Sequence, residues 1–333
     1  MINIVHIGIG PLGQRMVQFA HERNSFQISG AVDTNPEIAG RTLGSVCDVR
    51  GLEMPIASSL EAALSERSAQ VAIVTTVSSL ARLESLVATL ARAGIHTIST
   101  CEELLYPWNT QAQVAGRIDK LCREHAVVCL GTGINPGYLM DYLPTVLTGL
   151  CRSVSAVRVT RVQDASIRRI PFQEKIGAGL TLDEFEKKRR EGTLRHVGLP
   201  ESIDFLADRL GWRLDRNTES LEPVIAERDV TTGYRPIAKG MARGVHQVGR
   251  GFVGDIEVIT LTFHAAVGEP EAYDEVEVEG DPPIRSRIHG GVNGDIATCS
   301  VTLNAIQSVL SAKPGLRTMG DIAPISWSDS LPS

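Results

Sequence analysis

The chain has 333 residues, a formal net charge of −6, and 43% hydrophobic and 22% charged residues, an ordinary composition for a globular protein with a sizeable core and room for two domains. The absence of a basic tract argues against nucleic acid as the main partner, and no apolar run approaches the ~20 residues of a membrane helix. The six cysteines, Cys47, Cys101, Cys122, Cys129, Cys151 and Cys299, form no C-x-x-C pair, so no metal site is expected and reduced thiols in a cytoplasmic protein are.

Ile2, Ile4, Val5 and Ile7 read as a strand and not as a signal peptide. Gly8-Ile9-Gly10-Pro11-Leu12-Gly13 follows at once, and a helical pattern begins at Gln14. Strand, G-x-G-x-x-G and helix in that order make a dinucleotide-binding turn. Gly8 permits the tight turn, Gly10 lets a pyrophosphate approach the backbone, and Gly13 lets the helix pack on the strand. A second strand, Phe26 to Val32, ends in Asp33, twenty residues after Gly13, the spacing of an acid that binds the adenosine ribose hydroxyls. Asp33 favours NAD, while Arg41, in an expected helix from Ile38 to Val46, leaves NADP open.

Further along, Leu60 to Leu64 reads as a short helix, and Val71 to Thr75 as a strand buried on both faces. The loop Thr75, Thr76, Val77, Ser78, Ser79 then borders the cofactor. A helix from Leu80 to Ala93 stops at Gly94. Ile95 to Ser99 is the next strand, leading into Thr100-Cys101-Glu102-Glu103-Leu104-Leu105-Tyr106-Pro107; a helix from Trp108 to His125 and a strand from Ala126 to Leu130 follow. This alternation implies an α/β fold with a doubly wound parallel sheet over residues 1–135, a Rossmann domain.

After Gly131-Thr132-Gly133-Ile134-Asn135-Pro136-Gly137 the character changes. We expect helices at Tyr138 to Leu150, Leu182 to Glu191 and Glu201 to Leu210. Val154 to Val162 alternates as an antiparallel strand does, and strand-like runs lie at Glu222 to Val230, Asp255 to Val267, Tyr273 to Val278 and Ile284 to Ile288. Residues 136–294 thus form a second, α+β domain on a mostly antiparallel sheet, assigned to substrate binding and to a homodimer contact. A last helix, Asp295 to Ser311, capped by Asp295, begins a segment (295–333) that returns to the first domain.

In an open parallel sheet, ligands sit beyond the carboxyl ends of the strands, which selects the loops 75–79, 100–107 and 131–137. Thr75, Thr76, Cys101 and Asn135 are the cofactor-bordering candidates there. Glu102 and Glu103 are the only adjacent acids. On position alone, a general base and a helix-start acid are equally good readings of them.

Thr100 to Leu104 with Tyr106-Pro107, and Gly131 to Gly137, resemble the corresponding motifs of the 2,4-diaminopentanoate dehydrogenases and the amine dehydrogenases related to them. Arg168 to Gln173 and Gly291 to Thr298 also fit relatives labelled dihydrodipicolinate reductase-like. The resemblance spans nearly the whole chain. It implies an NAD- or NADP-dependent oxidoreductase acting on C–N bonds, interconverting a small amine with a carbonyl compound plus ammonia, with Glu102 as the catalytic acid/base. Tyr138, beside the second motif, and Arg168, Arg169, His246 and His289 are candidates for the substrate pocket. For the arginines and histidines a solvated or structural role is the competing reading. The paired histidines of the lysine-pathway reductase are absent, so that activity is not expected. The alternatives are an imine reductase that needs no free ammonia, and a dinucleotide-binding sensor without turnover.

Overall fold

The computed structural model describes residues 1–64, 68–194 and 197–329. The chain divides into two compact units, Met1–Tyr138 with the segment from Asn293 onward, and Leu139–Val292.

The first unit is built on six parallel strands. They are β1 (Ile2–Ile7), β2 (Phe26–Val32), β3 (Val71–Val74), β4 (His96–Ser99), β5 (Val128–Gly131) and β12 (Gly315–Arg317), ordered β12-β5-β4-β3-β1-β2. β3 and β5 read as continuous apolar runs because both faces are covered, and both are buried at every residue. Helices Leu80–Arg92 and Ala112–Glu124 supply one covering face through Leu83, Val87, Leu90, Ala115 and Ile118. The chain order reverses at β1, whose neighbours are β2 and β3, so the glycine turn lies at a topological switch point.

The segment after Asn293 completes this unit. Its helix runs Gly294–Ser311 and packs on helix Pro11–His21, and β12 then adds a parallel strand beside β5. The cap is Asn293 and not the expected Asp295, because the Asn293 side chain accepts from the N–H groups of Asp295 and Ile296 (both 3.1 Å). The last residues of the expected returning segment, 330–333, lie outside the described residues.

The second unit holds a six-stranded mixed sheet. Its strands are β6 (Ser153–Asp164), β7 (Arg216–Ile225), β8 (Ala242–Val253), β9 (Ile256–Ala266), β10 (Tyr273–Asp281) and β11 (Ile284–His289), ordered β11-β10-β6-β9-β8-β7. Every pairing is antiparallel except β6 with β9. Val157, Val159, Ile259, Leu261, Val276 and Val278 line one face, under Leu199, Ile203 and Leu206 of helix Leu199–Leu210. Alternate residues, including Arg158, Thr160, Thr262, His264 and His246, make the opposite, polar face.

Several local expectations shift. The first helix begins at Pro11, not Gln14, since proline presets the helical φ and gives up an N–H that has no partner in the first turn. Ile38 to Val46 is a turn followed by helix Leu43–Cys47, with Gly40 at φ +84° breaking the run. The Trp108 to His125 helix is two, Pro107–Thr110 and Ala112–Glu124, parted at Gln111 (φ −142°). The helix expected from Tyr138 starts at Tyr142, where the Asp141 carboxylate accepts the Tyr142 N–H (2.7 Å). The strand expected at 222–230 is β7, six residues earlier and polar because it is an edge. Strand β8, which no apolar run in the sequence announces, is glycine-rich for steric reasons: a Cβ on Gly244 would stand 2.0 Å from the Ala265 carbonyl oxygen across the β8–β9 pair. Gly244→Ala should therefore destabilise the protein by about 3 kcal/mol, read as a shift in the urea unfolding midpoint.

Candidate active site

The glycine turn is set by what surrounds it. Gly8 sits at φ +94°, a conformation that favours glycine, and a Cβ there would come within 2.9 Å of the Thr75 carbonyl oxygen. A Cβ on Gly13 would stand 1.9 Å from the Gly8 carbonyl oxygen, whereas one on Gly10 would meet nothing within 4 Å. Thr75 Oγ1 donates to the Gly8 carbonyl (2.8 Å) and lies 3.2 Å from His6 Nε2. Because that hydroxyl gives its proton to Gly8, the histidine nitrogen is the donor. Sequence reasoning missed His6, whose one signal is a polar residue inside an apolar strand. Its burial pulls the pKa down to about 4, against a smaller opposing effect of a hydrogen bond with the Gly8 backbone.

Asp33 holds the other side of the turn. Its Oδ2 accepts the Ile9 N–H (2.7 Å) and its Oδ1 the Asn35 N–H (2.8 Å). The helix behind the turn, Pro11–His21, has Gly10 at its N-cap and no side-chain cap, so its first N–H groups face outward with the positive end of the helix dipole. Asn135, at the end of the third loop, has a buried Nδ2 without a hydrogen-bond partner. An open cradle at Gly10, uncapped N–H groups, a fixed carboxylate at Asp33 and an orphaned amide together fit a dinucleotide.

The two adjacent acids stand in a 3₁₀ turn, Glu102–Leu104, directly after β4. Both are partly buried. Glu103 Oε2 accepts the Leu80 N–H (2.8 Å) and the Gln111 Nε2 (2.7 Å), which commits it to the fold. Cys101 is 1% exposed and packs in the core beneath the turn, so its side chain is not presented to a ligand. Burial, then the Glu102 carboxylate beside it, pushes this thiol up to about 12 and keeps it protonated. Pro11 and Thr76 are exposed and Leu12 half-buried around the glycine turn. Tyr138 is half-buried as the last residue before the second unit.

The remaining candidates belong to the second unit. Arg168 stacks over Phe172 (4.0 Å to the ring centroid) and donates to Gln163 Oε1 (2.8 Å). Arg169 is exposed at the N-cap of helix Ile170–Lys175. His246 faces His264 across β8 and β9, with their Nδ1 atoms 3.4 Å apart, and His264 Nε2 lies 2.9 Å from Glu269. Burial, then His264, lowers the His246 pKa. His289 is exposed at the end of edge strand β11. The structure thus brings His246 together with His264 and Glu269, a pairing for which the sequence carried no signal. Among the described residues no group of three or more His, Cys, Asp or Glu side chains is arranged to hold a metal ion. Nor is any helix there long and apolar enough to cross a membrane.

A parallel sheet with a glycine turn at its switch point, feeding a helix N-terminus beside a fixed aspartate, is the arrangement of a dinucleotide-binding domain. The chain belongs to the 2,4-diaminopentanoate dehydrogenase family. Residues 138–330 match the model of the 2,4-diaminopentanoate dehydrogenase C-terminal domain, and residues 2–101 that of the dihydrodipicolinate reductase N-terminus. The 2,4-diaminopentanoate dehydrogenase of Acetoanaerobium sticklandii is 32% identical over 329 residues, covering 96% of this chain and 93% of the relative. An amine dehydrogenase of Streptomyces virginiae is 23% identical over 351 aligned positions, covering 97% and 96%. The solved structure of an amine dehydrogenase from Mycobacterium smegmatis shares the fold, with a TM-score of 0.86 at 21% identity over 98% of this chain and 97% of that one.

The His6 pKa has a consequence for stability. Below about pH 6.5 the unfolded chain binds a proton that folded His6 refuses, so stability falls as the pH drops from 6.5 towards 4. A His6→Gln protein should lose about 3 kcal/mol less over that interval than the wild type, measured by urea unfolding at each pH.

Proposed function

We propose that the protein catalyses the reversible, NAD(P)-dependent amination of a small ketone or oxo acid, with a 2,4-diamino acid as the first substrate to try for the reverse direction. The observation that carries this reading is the place of Glu102: its turn, Glu102–Leu104, follows directly on β4 at the carboxyl end of the parallel sheet, where an open α/β sheet binds its ligand.

In this reading Gly8, Gly10, Pro11, Leu12 and Gly13, with Thr75, Thr76 and the Cys101 backbone, bound the dinucleotide. The uncapped helix start meets its pyrophosphate. Asp33, its carboxylate oriented by Ile9 and Asn35, accepts from the ribose hydroxyls and opposes a 2′-phosphate, so NAD is preferred. Arg41 is exposed and fits a solvated residue. Asn135 offers its unpartnered amide to the bound group. When bound, the nicotinamide supplies or takes the hydride.

The chain's own contribution is proton handling and charge. Glu102 takes a proton from ammonium, and the ammonia released adds to the substrate carbonyl carbon. A proton passes from the added nitrogen to the carbonyl oxygen to give a carbinolamine; Glu102 then returns its proton to that hydroxyl, which departs as water, and the ionised carboxylate faces a substrate iminium cation. Stabilising that charge in a water-poor site is worth roughly 3 kcal/mol, by analogy with a lost oxyanion donor. Tyr138, Arg168, Arg169, His246 and His289 remain the substrate-side candidates, the arginines through pairing with a substrate carboxylate. The open sheet of the second unit, with β11 and β7 at its edges, supports a homodimer. The six free thiols support a cytoplasmic location.

Purified protein should oxidise NADH faster than NADPH with small ketones and 4-oxo acids when ammonium is in excess. Glu102→Gln should lower kcat about a hundredfold or more while still binding NADH. Full ammonium-dependent activity in that variant would remove Glu102 from the chemistry, and turnover of preformed imines without ammonium would favour the imine reductase. Gly10→Ala should keep the wild-type Tm, because its Cβ enters open space, yet lose about 2 kcal/mol of dinucleotide affinity, the worth of one hydrogen bond to a charged group. Isothermal titration with NADH checks this.

A further inference from the structure

The turn that carries Glu102 is too short to hold itself. Its internal bonds are the Leu104 N–H to the Cys101 carbonyl (3.1 Å) and the Leu105 N–H to the Glu102 carbonyl (3.2 Å). A single 3₁₀ turn of this kind is set by its surroundings. Four contacts supply them. Helix Leu80–Arg92 has no side-chain cap from Ser79, and the Glu103 carboxylate provides the missing acceptor at Leu80, with the sign that the helix dipole favours. The Glu103 N–H donates to the Ser78 carbonyl (3.4 Å) in the same loop. Gln111, where the chain breaks between two helices, sends its side-chain amide back to the same Glu103 oxygen. From below, the end of β5 fits because Gly131 has no Cβ; one there would stand 2.6 Å from the Leu104 carbonyl carbon and 2.8 Å from the Leu105 nitrogen.

From these contacts we infer that Glu103 is a positioning residue for the reaction: its carboxylate, held by the Leu80 N–H and the Gln111 amide, locks the Glu102 turn against the loop that borders the cofactor. This rests on the reading of Glu102 as the acid/base. With Glu103 shortened, the turn keeps its seat on Gly131 and its backbone bond to Ser78 but loses the side-chain ties to the Leu80 N–H and to Gln111. The turn can then shift and carry Glu102 away from the atom it must reach. Proton transfer demands hydrogen-bond reach, so a small rotation lowers kcat while the glycine turn still binds dinucleotide.

The test uses the full chain with Glu103→Ala, Glu103→Gln, Gln111→Ala and the Glu103→Ala/Gln111→Ala pair. The readouts are kcat, KM, the pH profile of kcat/KM, NADH affinity and amide hydrogen exchange at Leu80, Leu104 and Leu105. Glu103→Ala should lower kcat roughly tenfold to a hundredfold with NADH affinity unchanged, and should speed exchange at all three amides. Glu103→Gln keeps an oxygen acceptor for both partners and should recover most of the loss. Gln111→Ala should cost less than Glu103→Ala, and the double variant no more than Glu103→Ala alone, since both act through one contact. Glu103→Ala with wild-type kcat and pH profile overturns the proposal, whatever its Tm. So does a loss that tracks only Tm and NADH affinity. If Glu103→Ala does not fold, the same two outcomes are read from Gln111→Ala, which leaves the helix cap in place. Glu102→Gln run beside these separates the two readings. Full activity there removes the acid/base assignment and this inference with it. An inactive Glu102→Gln beside a fully active Glu103→Ala removes this inference alone.

Discussion

One of the tightest constraints among the described residues is the 1.9 Å that would separate a Cβ on residue 13 from the Gly8 carbonyl oxygen. No side chain fits there, so helix Pro11–His21 can lie directly on the turn that precedes it. Everything around the turn depends on that approach. Thr75 reaches the Gly8 carbonyl only because the turn is tight, and Asp33 reaches the Ile9 N–H for the same reason. Two strands flanking β1 are thereby sewn to the glycine loop before any ligand arrives. Preorganisation of this kind lowers the ordering cost of binding.

Identical side chains are put to different uses. Glu102 and Glu103 are neighbours of one type in one turn, and the Glu103 carboxylate is the one that accepts from the Leu80 N–H and from Gln111. The same holds for histidine. His6 is buried and neutral beneath the glycine loop, His246 pairs with His264 on a sheet face, and His289 sits exposed on an edge strand. Residue type bounds the chemistry available, and environment chooses among its uses.

The two sheets also differ in how plainly their sequences announce them. In the parallel sheet both faces are buried, so β3 and β5 are continuous apolar runs with little ambiguity. In the second unit β7 is a polar edge and β8 carries Gly244, Gly249 and Gly251. Those glycines admit backbone or side chains from elsewhere: the Ala265 carbonyl opposite Gly244, Ile203 beside Gly249 and Leu214 beside Gly251. A strand shaped by its neighbours does not carry a strand's ordinary composition.

From the sequence by itself follow the α/β class, the dinucleotide turn, the order of strands and helices to residue 131, and a family resemblance that the comparisons bear out. These are local signals: glycines at fixed spacing, an aspartate after a strand, apolar runs and long motifs. Tertiary structure alone decided that Glu103 serves the scaffold, that His6 lies under the phosphate turn, that Asn293 caps the returning helix, and that β12 closes the parallel sheet. Most of these join residues far apart in the chain, such as Leu80 with Glu103, His6 with Thr75 and Leu316 with Cys129. A one-dimensional pattern does not encode which distant backbone group a side chain will meet, because the close packing of the folded chain makes that choice.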